Sequence, residues 1–175
     1  MFVVSLITTK VWQLAVWSLD RDVQTDFQVW KIYLDTCCLS RLFDPPTQAR
    51  IRQEAEAMHQ VLTYCFSGCW HWVVSSVLSD EVDQSSNFGA RFQIKNCITL
   101  AHQTVSVGSS ESERGIRLEV LGFKRRDALH LACAESAGAD IFLTTDDRLL
   151  RRAKHYQAQL HTQVENPYIW LQSEA

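Results

Sequence analysis

Short apolar runs alternate with segments of helical periodicity along most of this sequence. The clearest runs are residues 32–34, 70–75 and 141–145, and each ends at turn residues, helix-capping residues or acids. Between the runs, apolar residues recur every three or four positions, as helices that pack on a sheet require. This alternation is the pattern of βαβ units, so it predicts an α/β fold around a parallel sheet.

Two local signals make the element prediction more specific. Ser110 and Glu113 have the spacing of a capping box, which predicts that a helix begins there and runs to Gly122. Residues 163–165 and 168–171, on either side of Asn166-Pro167, are predicted to form a last short strand.

Length and charge limit the class of protein. The 175 residues suffice for one domain with a substantial core, and the sequence divides into an N-terminal extension of uncertain role, residues 1–30, and a main domain, residues 31–175. The net charge of −3 excludes a globally basic nucleic-acid surface, so any polyanion site must be local or use a bound cation. No apolar run approaches the ~20 residues of a membrane span, and we expect no membrane association.

The six cysteines indicate a reducing compartment. They are scattered in apolar surroundings, where cysteine behaves as a small buried hydrophobe, so we expect free thiols and a cytoplasmic protein. Cys37 and Cys38 are adjacent and poorly placed to bridge each other. We expect both to pack beneath Asp35, which follows the first predicted strand.

Four acids are placed where an α/β domain builds its sites. Asp35 and Asp146 each follow a predicted strand, and Glu81 and Asp127 lie in the first turns of predicted helices. Taken singly, such acids are usually turn residues, helix caps or solvated helix residues, and we expect Asp147 to be one of these. Together, four converging carboxylates would repel one another, and a divalent cation is the natural counterion.

The ligand type indicates the metal and the chemistry. Carboxylate oxygens suit Mg²⁺ or Mn²⁺ better than zinc. Such an ion activates a bound water and stabilises charge on a phosphoryl oxygen, so phosphodiester hydrolysis is the predicted reaction. His130 follows Asp127 by one helical turn, and we expect it to be hydrogen-bonded in or near the core rather than to bind metal.

Four segments carry a resemblance to a known family. The segments 32-IYLDTCCLSRLF-43, 75-SSVLSDEV-82, 122-GFKRRDALHLACAESAGADIFLTTDDRLL-150 and 164-VENPYIWL-171 together resemble a PIN domain, close to the VapC-like toxins. The resemblance implies a PIN-like three-layer α/β/α sandwich with a central, mainly parallel sheet, within residues 31–175.

The resemblance also implies a function. It implies a ribonuclease that needs Mg²⁺ or Mn²⁺, held by the acids Asp35, Glu81, Asp127 and Asp146, with Thr36 and Thr145, or Thr144, in supporting positions. Family members typically cleave single-stranded RNA, and toxin members are inhibited by a cognate antitoxin protein. A homodimer is also common in the family.

Basic residues flank two of the acids. Lys124, Arg125 and Arg126 precede Asp127, and Arg148 follows Asp146 at the start of a helix that also carries Arg151 and Arg152. Charge runs are often only solvated faces. Beside the acids, these side chains are candidates for RNA phosphate contacts that hold a strand without reading its bases.

Two alternatives to a nuclease stay open at this point. A catalytically inactive PIN-like module would bind RNA or protein through the same fold with an incomplete metal site. A receiver-like domain phosphorylated on Asp35 would require a lysine at a later strand end, and no such lysine is apparent in the sequence.

Overall fold

The computed structural model describes residues 29–174, so nearly all of the predicted N-terminal extension lies outside the described residues. In chain order the elements are β1 Lys31–Leu34, α1 Thr36–Arg41, α2 Ala49–Phe66, β2 His71–Ser75, α3 Ser76–Asp83, α4 Phe88–Ile98, β3 Gln103–Val105, α5 Ser109–Val120, α6 Arg125–Ser136, β4 Ile141–Leu143, α7 Asp147–His155, β5 Gln163–Glu165 and α8 Pro167–Glu174. A short 3₁₀ turn, Gln157–Gln159, connects α7 to β5.

The five strands form one sheet in the order β3-β2-β1-β4-β5, and every neighbouring pair is parallel. β1 lies at the centre, where Ile32 is paired with Trp72 of β2 and with Ile141 of β4. The predicted α/β fold with a parallel sheet is therefore confirmed.

Helices cover both faces of the sheet. Successive strand residues point to opposite faces, so Ile32 and Leu34 pack with Met58 of α2, whereas Tyr33 packs with Leu131 of α6. Both faces are apolar, which explains why the strands read as continuous hydrophobic runs rather than as alternating ones. The result is the three-layer sandwich that the sequence predicted.

Two element predictions were wrong. Residues 168–171 belong to helix α8, because Pro167 suits the first helical position and the Asn166 side chain accepts a hydrogen bond from Tyr168 N at 2.9 Å. The acid that caps α5 is Glu111, which accepts from Gly108 N at 2.9 Å, and not Glu113.

The strand order creates a crevice between β1 and β4. The chain builds outward from β1 through β2 to β3, and then returns to the other side of β1 with β4 and β5. Ligands of open α/β sheets bind at the carboxyl ends of the strands where the order reverses in this way. Among residues 29–174, no helix is both long enough and apolar enough to cross a membrane.

Candidate functional site

Asp35 lies at the carboxyl end of the central strand and is held there by β4. Its backbone N–H donates to Leu143 O at 3.0 Å, and its Oδ2 accepts a hydrogen bond from Thr144 Oγ1 at 2.7 Å. The residue is only 9% exposed. The side chain is therefore fixed at the crevice by contacts from the neighbouring strand.

The two cysteines after Asp35 have different surroundings. Cys38 is buried and its thiol donates to Leu143 O at 3.2 Å, which agrees with the predicted packing beneath the strand. Cys37 is half-buried, and its Sγ lies 3.2 Å from Asp35 Oδ2 and 3.2 Å from Thr144 Oγ1. Its thiol therefore contacts the carboxylate directly, which sequence reasoning did not specify.

A chain of side-chain hydrogen bonds crosses the core and ends at Glu81. Ser75 Oγ lies 2.5 Å from Tyr33 Oη, Tyr33 Oη lies 2.7 Å from His130 Nδ1, and His130 Nε2 lies 3.1 Å from Glu81 Oε2. An ionised carboxylate can only accept, so His130 Nε2 donates to Glu81. The expectation that His130 is a hydrogen-bonded core residue is confirmed, and its partner is a site acid.

Glu81 is stabilised as a carboxylate. The hydrogen bond from His130, aided by the Thr36 hydroxyl and the Arg126 guanidinium, lowers the pKa of Glu81 to about 2 against the effect of burial. Burial raises the pKa of Tyr33 well above its usual value, so this phenol stays protonated within the chain of hydrogen bonds. Glu81 is thus a fixed negative charge at neutral pH.

Asp127 has the opposite electrostatic environment. Burial, together with the charges of Asp35, Asp146 and Glu81, raises the pKa of Asp127 to about 6. The nearest cation is Arg148, whose Nη2 lies 3.7 Å from Asp127 Oδ2. The four predicted acids are therefore close enough in space to interact, and Asp127 is the one whose charge the others oppose.

Asp146 is both a member of this group and a helix cap. Its Oδ1 accepts hydrogen bonds from Arg148 N at 2.7 Å and Leu149 N at 3.2 Å, which leaves Oδ2 for other partners. Asp147, which we expected to be a turn or capping residue, is instead the first residue of α7, and Asp146 is the cap. Asp147 points away and forms a bidentate pair with Arg50, at 2.7 and 2.6 Å.

The hydroxyl that connects the end of β4 to Asp35 belongs to Thr144. Besides its bond to Asp35, Thr144 Oγ1 accepts from Asp146 N at 3.1 Å and so connects two of the acids. Thr145 contributes its backbone, since its N–H donates to Cys37 Sγ at 3.2 Å and its carbonyl accepts from Arg50. Of the two threonines considered from sequence, Thr144 is the one whose side chain contacts the acids.

The arrangement can hold a small cation. Ligand atoms of Asp35, Glu81 and His130 lie within 4.8 Å of one another, but both ring nitrogens of His130 are already hydrogen-bonded, which leaves the carboxylates as ligands. Asp127 and Asp146 lie outside this group of three, and Asp127 is near enough to feel the charges of the other acids. Thr36 Oγ1 is buried next to them without a hydrogen-bond partner of standard geometry among residues 29–174. Oxygen donors predominate, and the opposed charge of Asp127 would be relieved by a cation, so the residues fit Mg²⁺ or Mn²⁺.

The basic residues that flank the acids differ in their positions and contacts. Arg126 lies against the site, where its guanidinium is 3.5 Å from Glu81 and also bonds Gln84. Lys124 and Arg148 line a cavity of about 90 Å³ that also contains Asp127. Arg125 is exposed and takes part in none of the ion pairs found among residues 29–174.

These features define an α/β domain with a carboxylate-lined crevice at the switch point of its sheet. The chain belongs to the PIN domain family, whose model matches residues 32–155, and PIN domains in general are nucleases. No curated protein matches the chain.

Two solved structures share the fold. VapBC2 from Rickettsia felis, bound to a DNA fragment from their promoter, matches with a TM-score of 0.50 and 15% identity, covering 78% of this chain and 98% of that one. VapBC-1 from nontypeable Haemophilus influenzae matches with a TM-score of 0.50 and 16% identity, with the same coverage. At these identities the comparison establishes the fold alone.

Proposed function

We propose that the protein is a divalent-metal-dependent endoribonuclease of the PIN type that hydrolyses RNA phosphodiester bonds. The observation that carries the proposal is the grouping of acids at one crevice: carboxylate oxygens of Asp35 and Glu81 lie within 4.8 Å of each other, and the charges of Asp35, Asp146 and Glu81 add to burial in raising the pKa of Asp127 to about 6. A cluster of carboxylates that disfavours its own full ionisation is expected where a cation normally supplies the balancing charge.

Asp35, Glu81, Asp127 and Asp146 are proposed to hold Mg²⁺ or Mn²⁺ in this crevice. When bound, such an ion lowers the pKa of a coordinated water and neutralises charge that develops on the phosphoryl oxygens.

The surrounding residues orient these acids. Thr144 aligns Asp35, and His130 aligns Glu81, through the hydrogen bonds of 2.7 and 3.1 Å. Thr36 and Thr145 are proposed as supporting residues because they are the chain neighbours of Asp35 and Asp146, just after β1 and β4. Lys124 and Arg148, with Arg125 and Arg126 nearby, are proposed to contact RNA phosphates.

We further propose that the protein is the toxin of a toxin–antitoxin pair and acts in the cytoplasm. The support is the PIN family membership, together with the shared fold with VapBC2 and VapBC-1. The predicted partners are a cognate antitoxin and a second copy of this chain. Co-expression with the product of the neighbouring open reading frame, followed by measurement of the mass of the purified complex, tests both partners.

Cleavage of RNA by the purified full chain tests the main proposal. We expect cleavage with Mn²⁺ or Mg²⁺, none in EDTA, and none for Asp35→Asn with either ion. Asp80→Asn is the matched control, because Asp80 is exposed on α3 and forms none of the ion pairs found among residues 29–174. Binding of RNA without cleavage in Mn²⁺ would instead support the inactive PIN-like module.

A further inference from the structure

A cavity lies along helix α7, beside the acids rather than among them. It has a volume of about 410 Å³ and is lined by Arg148, Arg151, Arg152, His155 and Tyr156. The first four are spaced i, i+3, i+4 and i+7, so they share one face of the helix. Every lining residue is therefore cationic, ionisable to a cation, or aromatic.

Arg152 is held in place by the backbone. Its Nη1 donates to Leu121 O at 2.8 Å. The guanidinium passes over Gly122, where any Cβ would collide with it, and the φ of +85° at Gly122 also favours glycine. A guanidinium fixed in this way loses little side-chain entropy when it binds a ligand.

The cavity adjoins the smaller cavity beside the proposed active site. Arg148 and Arg152 line both this cavity and the smaller cavity of about 90 Å³ that contains Asp127. A chain-like ligand that reaches Asp127 would therefore pass along the face of α7. A small isolated ligand would not need both cavities.

The positive charge in the cavity is largely uncompensated. Among residues 29–174, Arg148 pairs with Asp127 at 3.7 Å, whereas Arg151 and Arg152 have no acid within ion-pair distance; Arg151 does interact with the charge of Asp147 one turn earlier, but Asp147 is already paired with Arg50. No carboxylate lines the cavity, although the whole chain has a net charge of −3. Such local segregation of charge suits a polyanion.

We propose that this cavity binds the phosphodiester backbone of single-stranded RNA next to the scissile phosphate, with Arg151 and Arg152 as the phosphate contacts. The inference rests on the proposed function for the identity of the polyanion. A single strand is favoured because the exposed His155 ring, 4.6 Å from the Tyr156 ring, lies at the cavity where an unpaired base can stack.

Arg151→Gln tests the proposal without disturbing the fold, because Arg151 is exposed whereas Arg152 also supports Leu121. Binding is measured by fluorescence anisotropy in an Asp35→Asn background, which keeps the RNA intact, with a labelled oligonucleotide of about twelve nucleotides. Arg52→Gln is the control, since Arg52 is exposed on α2, in the opposite helical layer.

We expect Arg151→Gln to weaken binding about fivefold at low salt, as for one exposed contact between unit charges about 4 Å apart. The slope of log affinity against log salt should fall by about 0.7, the value for one phosphate contact on a single strand. Arg52→Gln should change neither quantity. Equal effects of the two substitutions, or no effect of Arg151→Gln, would overturn the proposal.

Neutral methylphosphonate linkages locate the contact. Each oligonucleotide of a series contains one such linkage at a different position. We expect one position to weaken binding to the Asp35→Asn protein. At the same position, binding to the protein that also contains Arg151→Gln should not weaken further. If all positions weaken both proteins equally, Arg151 acts only through its general field and the subsite is refuted. These measurements need no cleavage, so a protein that never cuts RNA would refute the proposed function and leave this inference standing.

Discussion

Replacement of Asp127 by asparagine is expected to stabilise the metal-free protein. In the folded state the Asp127 carboxylate is opposed by burial and by Asp35, Asp146 and Glu81, which raise its pKa to about 6. Asparagine has nearly the same shape and no charge. The substitution should therefore remove a repulsion that the proposed cation would otherwise relieve.

The size of the effect follows from the pKa. A rise from 3.8 to about 6 corresponds to about 3 kcal/mol at neutral pH, at 1.36 kcal/mol per unit. The side chain is 21% exposed and solvent screens part of the repulsion, so we expect about 2 kcal/mol. For a chain of this size, that raises the Tm by about 4–8 °C.

The effect of pH on stability through Asp127 is the opposite of that for a carboxylate whose pKa is lowered on folding. Between pH 3.8 and about 6 the folded protein binds the extra proton, so the contribution of Asp127 to stability falls as the pH rises through this window. The destabilisation of the fold by the ionised Asp127 carboxylate reaches its full value above about pH 6. Glu81 acts in the opposite direction, because its lowered pKa of about 2 contributes stability above pH 4.5 that is lost on acidification.

Thermal unfolding of the full chain, followed by circular dichroism in EDTA, measures these effects. Asp127→Asn should unfold above the parent protein at about pH 7.5, and the difference should shrink towards about pH 4.5. Added Mg²⁺ should raise the Tm of the parent and have much less effect on Asp127→Asn. Asp80→Asn, at an exposed position, is the control and should match the parent throughout.

Two results would refute the reasoning. One is an Asp127→Asn protein that is no more stable than the parent in EDTA at neutral pH, which would mean that the four acids do not repel one another. The other is equal stabilisation of parent and variant by Mg²⁺, which would place any bound cation away from Asp127.

Three further predictions concern the residues around the acids. Tyr33→Phe should cost about 1–3 kcal/mol in urea unfolding, because two buried partners lose their hydrogen bond, and kcat should fall more than KM rises. Unchanged kcat would show that the chain of hydrogen bonds does not orient Glu81. Thr144→Val should weaken Mn²⁺ binding about 10–100-fold in calorimetry, since Asp35 loses its 2.7 Å hydrogen bond, and an unchanged affinity would exclude Thr144 from the site. Glu54→Ala should destabilise the fold by about 1–3 kcal/mol in the same urea assay, because Arg41, Arg50 and the buried Asn166 amide lose a shared carboxylate while the two arginines keep Asp44 and Asp147, whereas the exposed Glu56→Ala should have little effect.

The strands, their parallel arrangement and the positions of the acids were predictable because they depend on local patterns. An apolar run of three to five residues between helices is buried on both faces whatever its neighbours are, and an acid directly after it must lie at the carboxyl edge of the sheet. Residues 168–171 were misassigned because a short apolar run reads equally as strand or helix, and here Asn166 and Pro167 favoured the helix.

The contacts that orient the acids were not predictable, because they join residues that are distant in sequence. His130 meets Glu81 across 49 residues and Thr144 meets Asp35 across 109. The choice between Thr144 and Thr145 depends on which hydroxyl reaches Asp35 where the chain leaves β4, and here it is that of Thr144. A periodic pattern does not specify such a contact.

The sequence by itself determined which layers form and which edge of the sheet carries the carboxylates, since burial follows from the local spacing of apolar residues. Only the tertiary structure decided that Asp127 is the acid whose charge is opposed, that a histidine fixes Glu81, and that Gly122 leaves room for Arg152. The physical reason is that electrostatic and hydrogen-bond energies depend on distances of a few ångströms, and packing between separate elements sets those distances.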